Sequence, residues 1–206
     1  MQSNHFKLLE SFGLKDGKFL VYPHHLDRIS RSADFFQFEI DLDHIHTQLE
    51  SIRKEHPNGT WKIRLLSCPQ GNIELEISPI HPLHTPINVE LASKPINRKD
   101  VFLYHKTTER NVYDQIKQDH PDVFDILLWN ESNEITEFTI GNVVFELEKK
   151  FYTPSVQSGL LAGTYRQQLI DDGTLHVKTI YKDDITENTP CWLINSVREW
   201  VPVTFV

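Results

Sequence analysis

Between residues 79 and 100 the chain runs PIHPLHTPINVELASKPINRKD, four prolines in 22 residues. Proline fixes φ and removes a backbone donor, so regular structure is interrupted there. It predicts a largely extended crossing between two halves. A chain of 206 residues is long enough for one large domain or two small ones sharing an interface. The expected organisation is a small N-terminal α/β domain over 1–80, a linker over 81–100 and a larger C-terminal domain over 101–206.

Both halves mix strand and helix patterns. KLLESFGLKDGKFLVYP reads as two short strands joined at Lys15-Asp16-Gly17, where Asp-Gly supplies positive φ angles. HHLDRISRSADFF places Leu26, Ile29, Ala33 and Phe36 at helical spacing, and DLDHIHTQLESIRKEH does the same with Leu42, Ile45, Leu49 and Ile52. TWKIRLLSCPQGNIELEISPI alternates as paired strands around PQGN. Beyond the crossing, an apolar run leads into Lys106, and a helix is expected from about Thr107 with Val112 and Ile116 on one face. DILLWNESNEITEFTIGNVVFELEKKFYTP reads as a strand, a turn and a strand pair. SGLLAGTYRQQLIDDG reads as a helix closed by Gly173, and short strands end the chain. The class is α+β, or mixed α/β, in two lobes.

Composition narrows the function. Apolar residues make up 39%, with 12 Phe and 4 Trp, so a substantial core can form. The charge of −8, from 21 basic and 29 acidic residues, argues against nucleic acid or an anionic membrane as the main partner. Two distant cysteines, Cys68 and Cys191, form no CxxC and fit a reducing, cytoplasmic setting. The N-terminus has no leader pattern, and no window reaches the length of an apolar membrane span. The eleven histidines, closest at HH 24–25, HIH 44–46 and HPLH 81–84, lack partners at zinc-ligand spacing. Neither a serine-hydrolase elbow, a P-loop nor a dinucleotide fingerprint occurs.

Five features carry possible chemistry. Lys106 follows DVFLYH, and apolar neighbours disfavour an ammonium and prepare the amine to attack a carbonyl. A lysine whose head reaches solvent explains the same pattern. Glu137, in NEITEFTIGN, sits among apolar and β-branched residues and wants a cationic partner such as a protonated pyridine nitrogen; a solvated strand-edge glutamate reads alike. SGLLAGTYRQ puts a glycine at a helix start, where free N–H groups favour a phosphate, although ordinary helix entries share this form. Arg28 in HHLDRIS suits a phosphate clamp, and Ser196 with its neighbouring amides offers a second cradle. Each is weak by itself; their order along the chain is specific.

In that order the sequence resembles the class IV aminotransferases, the pyridoxal-phosphate enzymes of fold type IV that include D-amino acid aminotransferase-like proteins. Within them it is most similar to aminodeoxychorismate lyases, above all the lyase domain fused to aminodeoxychorismate synthase. FLYHKTTERNVYD, DILLWNESNEITEFTIGNVVFEL, YTPSVQSGLLAGTYRQQLI and WLINSVREWVPV carry the resemblance, with YPHHLDRISRSADFF and WKIRLL in the first half.

The resemblance implies a role for each residue. Lys106 would bond covalently to pyridoxal phosphate and later carry the proton, while Glu137 would pair with the pyridinium nitrogen and Asn142 would steady its loop. Arg28 would hold the phosphate, capped by the amides of Thr164 and Tyr165, with Ser196 and Val197 completing the cradle. Arg64 and Asn195 would contact substrate carboxylates. The implied substrate is 4-amino-4-deoxychorismate, released as p-aminobenzoate and pyruvate on the route to folate. A transaminase of branched-chain or D-amino acids would use the same lysine and phosphate site. A homodimer, and association with aminodeoxychorismate synthase, are the expected assemblies. Two departures stand out: relatives often have Glu-Thr-aliphatic-Arg where this chain has Glu10-Ser11-Phe12-Gly13, and glycine where Glu199 stands.

Overall fold

The computed structural model describes residues 6–206. Residues 1–5, on which the leaderless reading partly rests, lie outside the described residues. The chain divides into two compact units, one comprising 1–82 with 105–109, the other 83–104 with 110–206.

The first unit is built on an antiparallel sheet of β1 (Leu8–Lys15), β2 (Lys18–Phe19), β3 (Thr60–Ser67) and β4 (Ile73–Pro79), in the order β2-β1-β3-β4. Asp16 and Gly17, both at positive φ, make the β1–β2 turn. Helix α1 (Tyr22–Phe36) carries Pro23 in its first turn, where a missing N–H is harmless. Helix α2 (Leu42–Glu55) starts at Asp41, whose side chain accepts from the His44 amide at 2.9 Å. One face of the sheet, through Phe12, Leu14, Ile63 and Leu65, packs with Ile29, Ala33, Ile45, Leu49 and Ile52 of the helices. Residues 105–109 belong to this unit because β1 holds their backbone. The Leu9 amide donates to the Lys106 carbonyl at 2.9 Å and the Thr108 amide to the Lys7 carbonyl at 2.9 Å.

The second unit is an eight-stranded sheet. Its strands are β5 (Ile87–Leu91), β6 (Asp125–Trp129), β7 (Ile135–Phe138), β8 (Gly141–Leu147), β9 (Lys150–Thr153), β10 (Leu175–Val177), β11 (Cys191–Asn195) and β12 (Glu199–Phe205). They lie in the order β10-β9-β8-β11-β12-β5-β6-β7, and β7 also pairs with β8, so six of them close on themselves. Ile87, Val89, Leu127, Phe138, Val143, Phe145 and Leu193 fill the enclosed core. Helices α3 (Asn111–Asp119) and α4 (Thr164–Asp171) complete the unit. No helix is long and apolar enough to cross a membrane, among the described residues.

Four expectations need correcting. The proline-rich crossing contains β5, a strand paired on both sides; Pro86 and Pro95 flank Ile87–Leu91 rather than interrupt it, and Ile87 and Val89 alternate inward. The apolar run before Lys106 is not a strand end but a single 3-10 turn, Val101–Leu103, started by Asp100, whose carboxylate accepts from the Phe102 amide at 2.9 Å. The helix after Lys106 begins at Asn111 instead of Thr107, because Thr107 and Thr108 bridge to β1. Likewise α4 starts only at Thr164; a 3-10 turn over Val156–Ser158, ended by Gly159 at φ +96°, precedes it.

Candidate functional site

In the second unit the tight β7–β8 hairpin sets Glu137 directly across from Asn142. Glu137 is 4% exposed. Its Oε1 accepts from the Tyr113 hydroxyl at 2.8 Å and the Leu161 amide at 3.2 Å, and its Oε2 from Asn142 Nδ2 at 3.3 Å. An ionised carboxylate only accepts, so donors of this kind fix its position. Burial, and then the charge of Glu137, push the Tyr113 hydroxyl well above its ordinary range and keep it a donor. Asn142 also donates to the Leu161 carbonyl at 2.9 Å, tying the hairpin to the segment before α4.

The hairpin turn is pinned from beneath. Asp125, fully buried at the start of β6, accepts from the Thr139 hydroxyl at 2.5 Å, the Thr139 amide at 3.2 Å and the Ile140 amide at 3.3 Å. Burial pushes its carboxyl up, against those hydrogen bonds. Gly141 and Gly163 are required by close approach rather than by φ. A Cβ on Gly141 would lie 2.7 Å from the Ile194 carbonyl, and one on Gly163 would lie 1.9 Å from Asn142 Oδ1.

Helix α4 begins at Thr164 with Gly163 as its cap, a residue with no side chain to occupy the first-turn N–H groups. Thr164 and Tyr165 are both buried. Arg166, next along, donates Nη2 to the Pro154 carbonyl at 2.8 Å and Nε to the Thr153 hydroxyl at 3.3 Å. Burial lowers its pKa to about 10, with the charge of Glu137 opposing. Ser196 is buried in the β11–β12 turn. Asn195 builds that turn, its Oδ1 accepting from the amides of Val197 at 3.0 Å and Arg198 at 2.9 Å. Glu199 then sits at φ +59°, a left-handed conformation that glycine adopts without strain. Burial first, and the Glu199 carboxylate second, push the Tyr165 hydroxyl up.

In the first unit, α1 turns His25, Arg28 and Ser32 to one buried face. Arg28 meets Glu10 of β1 through two bonds, Nε to Oε1 at 2.8 Å and Nη2 to Oε2 at 2.5 Å. His25 Nδ1 lies 2.6 Å from the same Oε2. Burial would push the Glu10 carboxyl up, but the Arg28 and then His25 groups outweigh it and hold it at about 2. Burial pushes His25 down, and the charges of Arg28 and Lys106 add to this against Glu10; a neutral ring donating Nδ1–H fits all three neighbours. Lys106 follows His105, whose Nδ1 lies 3.0 Å from the Ser32 hydroxyl and whose ring stacks on Phe35 at 4.4 Å. Arg64 stands apart from these groups, paired with Glu76 of β4 at 3.0 Å and half-exposed.

Glu137, Asn142 and the start of α4 are therefore joined by hydrogen bonds, and Arg28 lies in the same unit as Lys106. Sequence reasoning missed Glu10, His25, Tyr113 and Arg166. A buried tyrosine beside the apolar positions of α3, and an arginine in the first turn of a helix with Leu169, were the available signals. Among the described residues no cluster of His, Cys, Asp and Glu could hold a metal ion.

Comparison with known proteins agrees over nearly the whole chain. A Schizosaccharomyces pombe protein named "Putative aminodeoxychorismate lyase" is 28% identical over 196 residues, covering 90% of this chain and 84% of its own length. The crystal structure of a "Putative amino-acid aminotransferase" from Mesorhizobium loti superposes with a TM-score of 0.88 at 27% identity, over 98% of this chain and 100% of the other. The PLP-bound form of a Mycobacterium tuberculosis protein titled a hypothetical aminotransferase shares the fold, with a TM-score of 0.81 at 16% identity over 97% and 81% of the two chains. The model of the family described as amino-transferase class IV matches residues 7–206, and the chain belongs to that family.

Proposed function

We propose that this protein is a pyridoxal-phosphate-dependent lyase that converts 4-amino-4-deoxychorismate to p-aminobenzoate and pyruvate. The observation that carries the cofactor reading is Glu137, a buried carboxylate held in place by the Tyr113 hydroxyl, the Leu161 amide and the Asn142 side chain. That arrangement fits a group whose protonated ring nitrogen needs a fixed acceptor, and the start of α4, where the cap residue Gly163 makes no side-chain bond, fits its phosphate. Bound pyridoxal phosphate supplies an electron sink for charge that develops on the substrate carbon bearing the amine.

Each residue then has a task. Lys106 would hold the cofactor through Nζ and would serve as the base that takes the proton from the substrate carbon bearing the amine. Glu137 would be the acceptor for the protonated ring nitrogen. Arg28 is assigned to the phosphate, as are the amides of Thr164 and Tyr165 and the Ser196 turn of the second unit. Asn142 and Tyr113 keep the Glu137 carboxylate in one orientation. Loss of the enol-ether side chain as pyruvate leaves an aromatic ring, so the reaction needs no keto-acid acceptor. Support for the lyase over other members of the family is the S. pombe relative, matched over 84% of its length.

A second reading is an aminotransferase of branched-chain or D-amino acids, and the M. loti structure, matched end to end at 27% identity, favours it. Incubation of the purified protein and pyridoxal phosphate with 4-amino-4-deoxychorismate, without any keto acid, separates the two. Equal amounts of p-aminobenzoate and pyruvate are expected. If neither forms, and a parallel incubation with an amino acid and a keto acid yields the aminated keto acid, the lyase reading fails and the aminotransferase reading replaces it.

A further inference from the structure

Glu10 is 1% exposed, inside a sheet face otherwise lined by Leu8, Phe12 and Leu14. A charge buried there is costly, and an apolar side chain of similar volume would serve packing as well or better. Its geometry points elsewhere than packing. The two bonds to Arg28, at 2.8 and 2.5 Å, match the planar fork of the guanidinium and fix both its plane and its rotation about the α1 axis. His25, three residues earlier on α1, reaches the same carboxylate at 2.6 Å and prevents it from turning. His25 is itself held by Phe12, whose ring centroid lies 4.8 Å away. The neighbouring residue of β1, Leu9, holds the Lys106 backbone.

We propose that Glu10, backed by His25, is a positioning residue that sets the orientation in which Arg28 meets the phosphate of the cofactor. This rests on the assignment of Arg28 to the phosphate. A long arginine side chain loses much rotamer freedom when it binds an anion, and Glu10 removes that freedom in advance. The carboxylate also repels a phosphate, so the proposal requires orientation to outweigh repulsion, and that makes it testable by sign.

The test compares the dissociation constants of pyridoxal phosphate and of pyridoxal, which lacks the phosphate, by equilibrium dialysis with the full-length apoprotein. The wild type binds the phosphorylated form more tightly, and Arg28→Lys reduces that preference. In Glu10→Gln the preference should fall about tenfold, with pyridoxal affinity changed less than about twofold, in line with other residues that orient a ligand-binding group. An unchanged or increased preference overturns the proposal, as does an equal loss for both compounds, which marks a purely structural role. If Glu10→Gln does not fold, His25→Gln decides: a drop of about threefold in preference supports the proposal and no drop overturns it. The failures are distinguishable. A wild type without preference for the phosphate removes the assignment of Arg28 together with the proposal. A preference lost in Arg28→Lys but kept in Glu10→Gln removes the proposal alone.

Discussion

The two units bury their main carboxylates in opposite ways. Glu10 lies between Arg28 and His25, so its charge is answered within the fold and its carboxyl is held at about 2. Glu137 accepts hydrogen bonds from a phenol, an amide side chain and a backbone N–H, which orient the carboxylate. Burial penalises both charges; the Arg28 guanidinium repays the first, and hydrogen bonds from three segments contribute to holding the second. The lesson is that a carboxylate gripped by donors from three separate segments is held in one orientation. One matched to an arginine organises that arginine.

The comparison can be broken most sharply at Glu137. Glu137→Gln retains an oxygen for Tyr113 and Leu161, both of which bond to Oε1, but sets an NH2 against Asn142 Nδ2, so the melting temperature should fall modestly while the fold is kept. Turnover should fall by roughly 10²–10³-fold, the usual cost of removing one preorganised electrostatic partner. Near-normal turnover would show that Glu137 has no charge-bearing role.

Glu10→Gln should do the reverse. A folded pKa of about 2 against an ordinary 4.5 gives stability that is present above pH 4.5 and lost as the pH falls toward 2, on the order of 3 kcal/mol. Urea midpoints measured from pH 7 to 3 should therefore be lower in the variant at neutral pH and converge with the wild type in acid. His25, pushed down by burial, adds a loss in the same direction that begins below its ordinary 6.5. His105, also pushed down by burial, contributes with the same sign. Parallel midpoint curves would show that Glu10 carries no linked stability.

Gly163→Ala tests how tightly the Glu137 arrangement is built. Its Cβ would lie 1.9 Å from Asn142 Oδ1, so Asn142 must move and release Glu137. We expect a destabilisation of about 1–3 kcal/mol, the typical cost of overpacking, with reduced turnover. An unchanged melting temperature would mean that the hairpin has slack. Glu199→Gly, the smallest change, should raise stability by less than about 1 kcal/mol, because the φ of +59° costs glycine nothing. A drop in stability would show that the bond pattern around Tyr165 needs the carboxylate.

Local features were legible in the sequence. Asp16-Gly17 announces the first turn, the apolar spacing of α1 and α2 appears as expected, and the strand, turn and strand pair read from Asp125 onward appear as β6, β7 and β8. What depends on distant partners was not. Tyr113 meets Glu137 from 24 positions away and Glu10 meets Arg28 from 18, with no periodicity to reveal either. The strand β5 was hidden because proline counts outweighed a short proline-free alternation, and only its neighbours β6 and β12 make it a strand. Residues 107–109 read as helix by composition, yet pairing with β1 overrides that preference.

The place of β5 bears on how the molecule is made. One edge of β5 pairs with β6, at Val89 opposite Asp125, but its other edge pairs with β12, at Val203 opposite Ile87. During synthesis that second edge must wait for more than a hundred further residues to emerge. Until then it offers unsatisfied amides and carbonyls beside Ile87 and Val89 to any extended segment nearby. The same pairing that closes the sheet thus makes this nascent chain depend on protection, or on slow collapse of its own intervening strands, before β12 arrives.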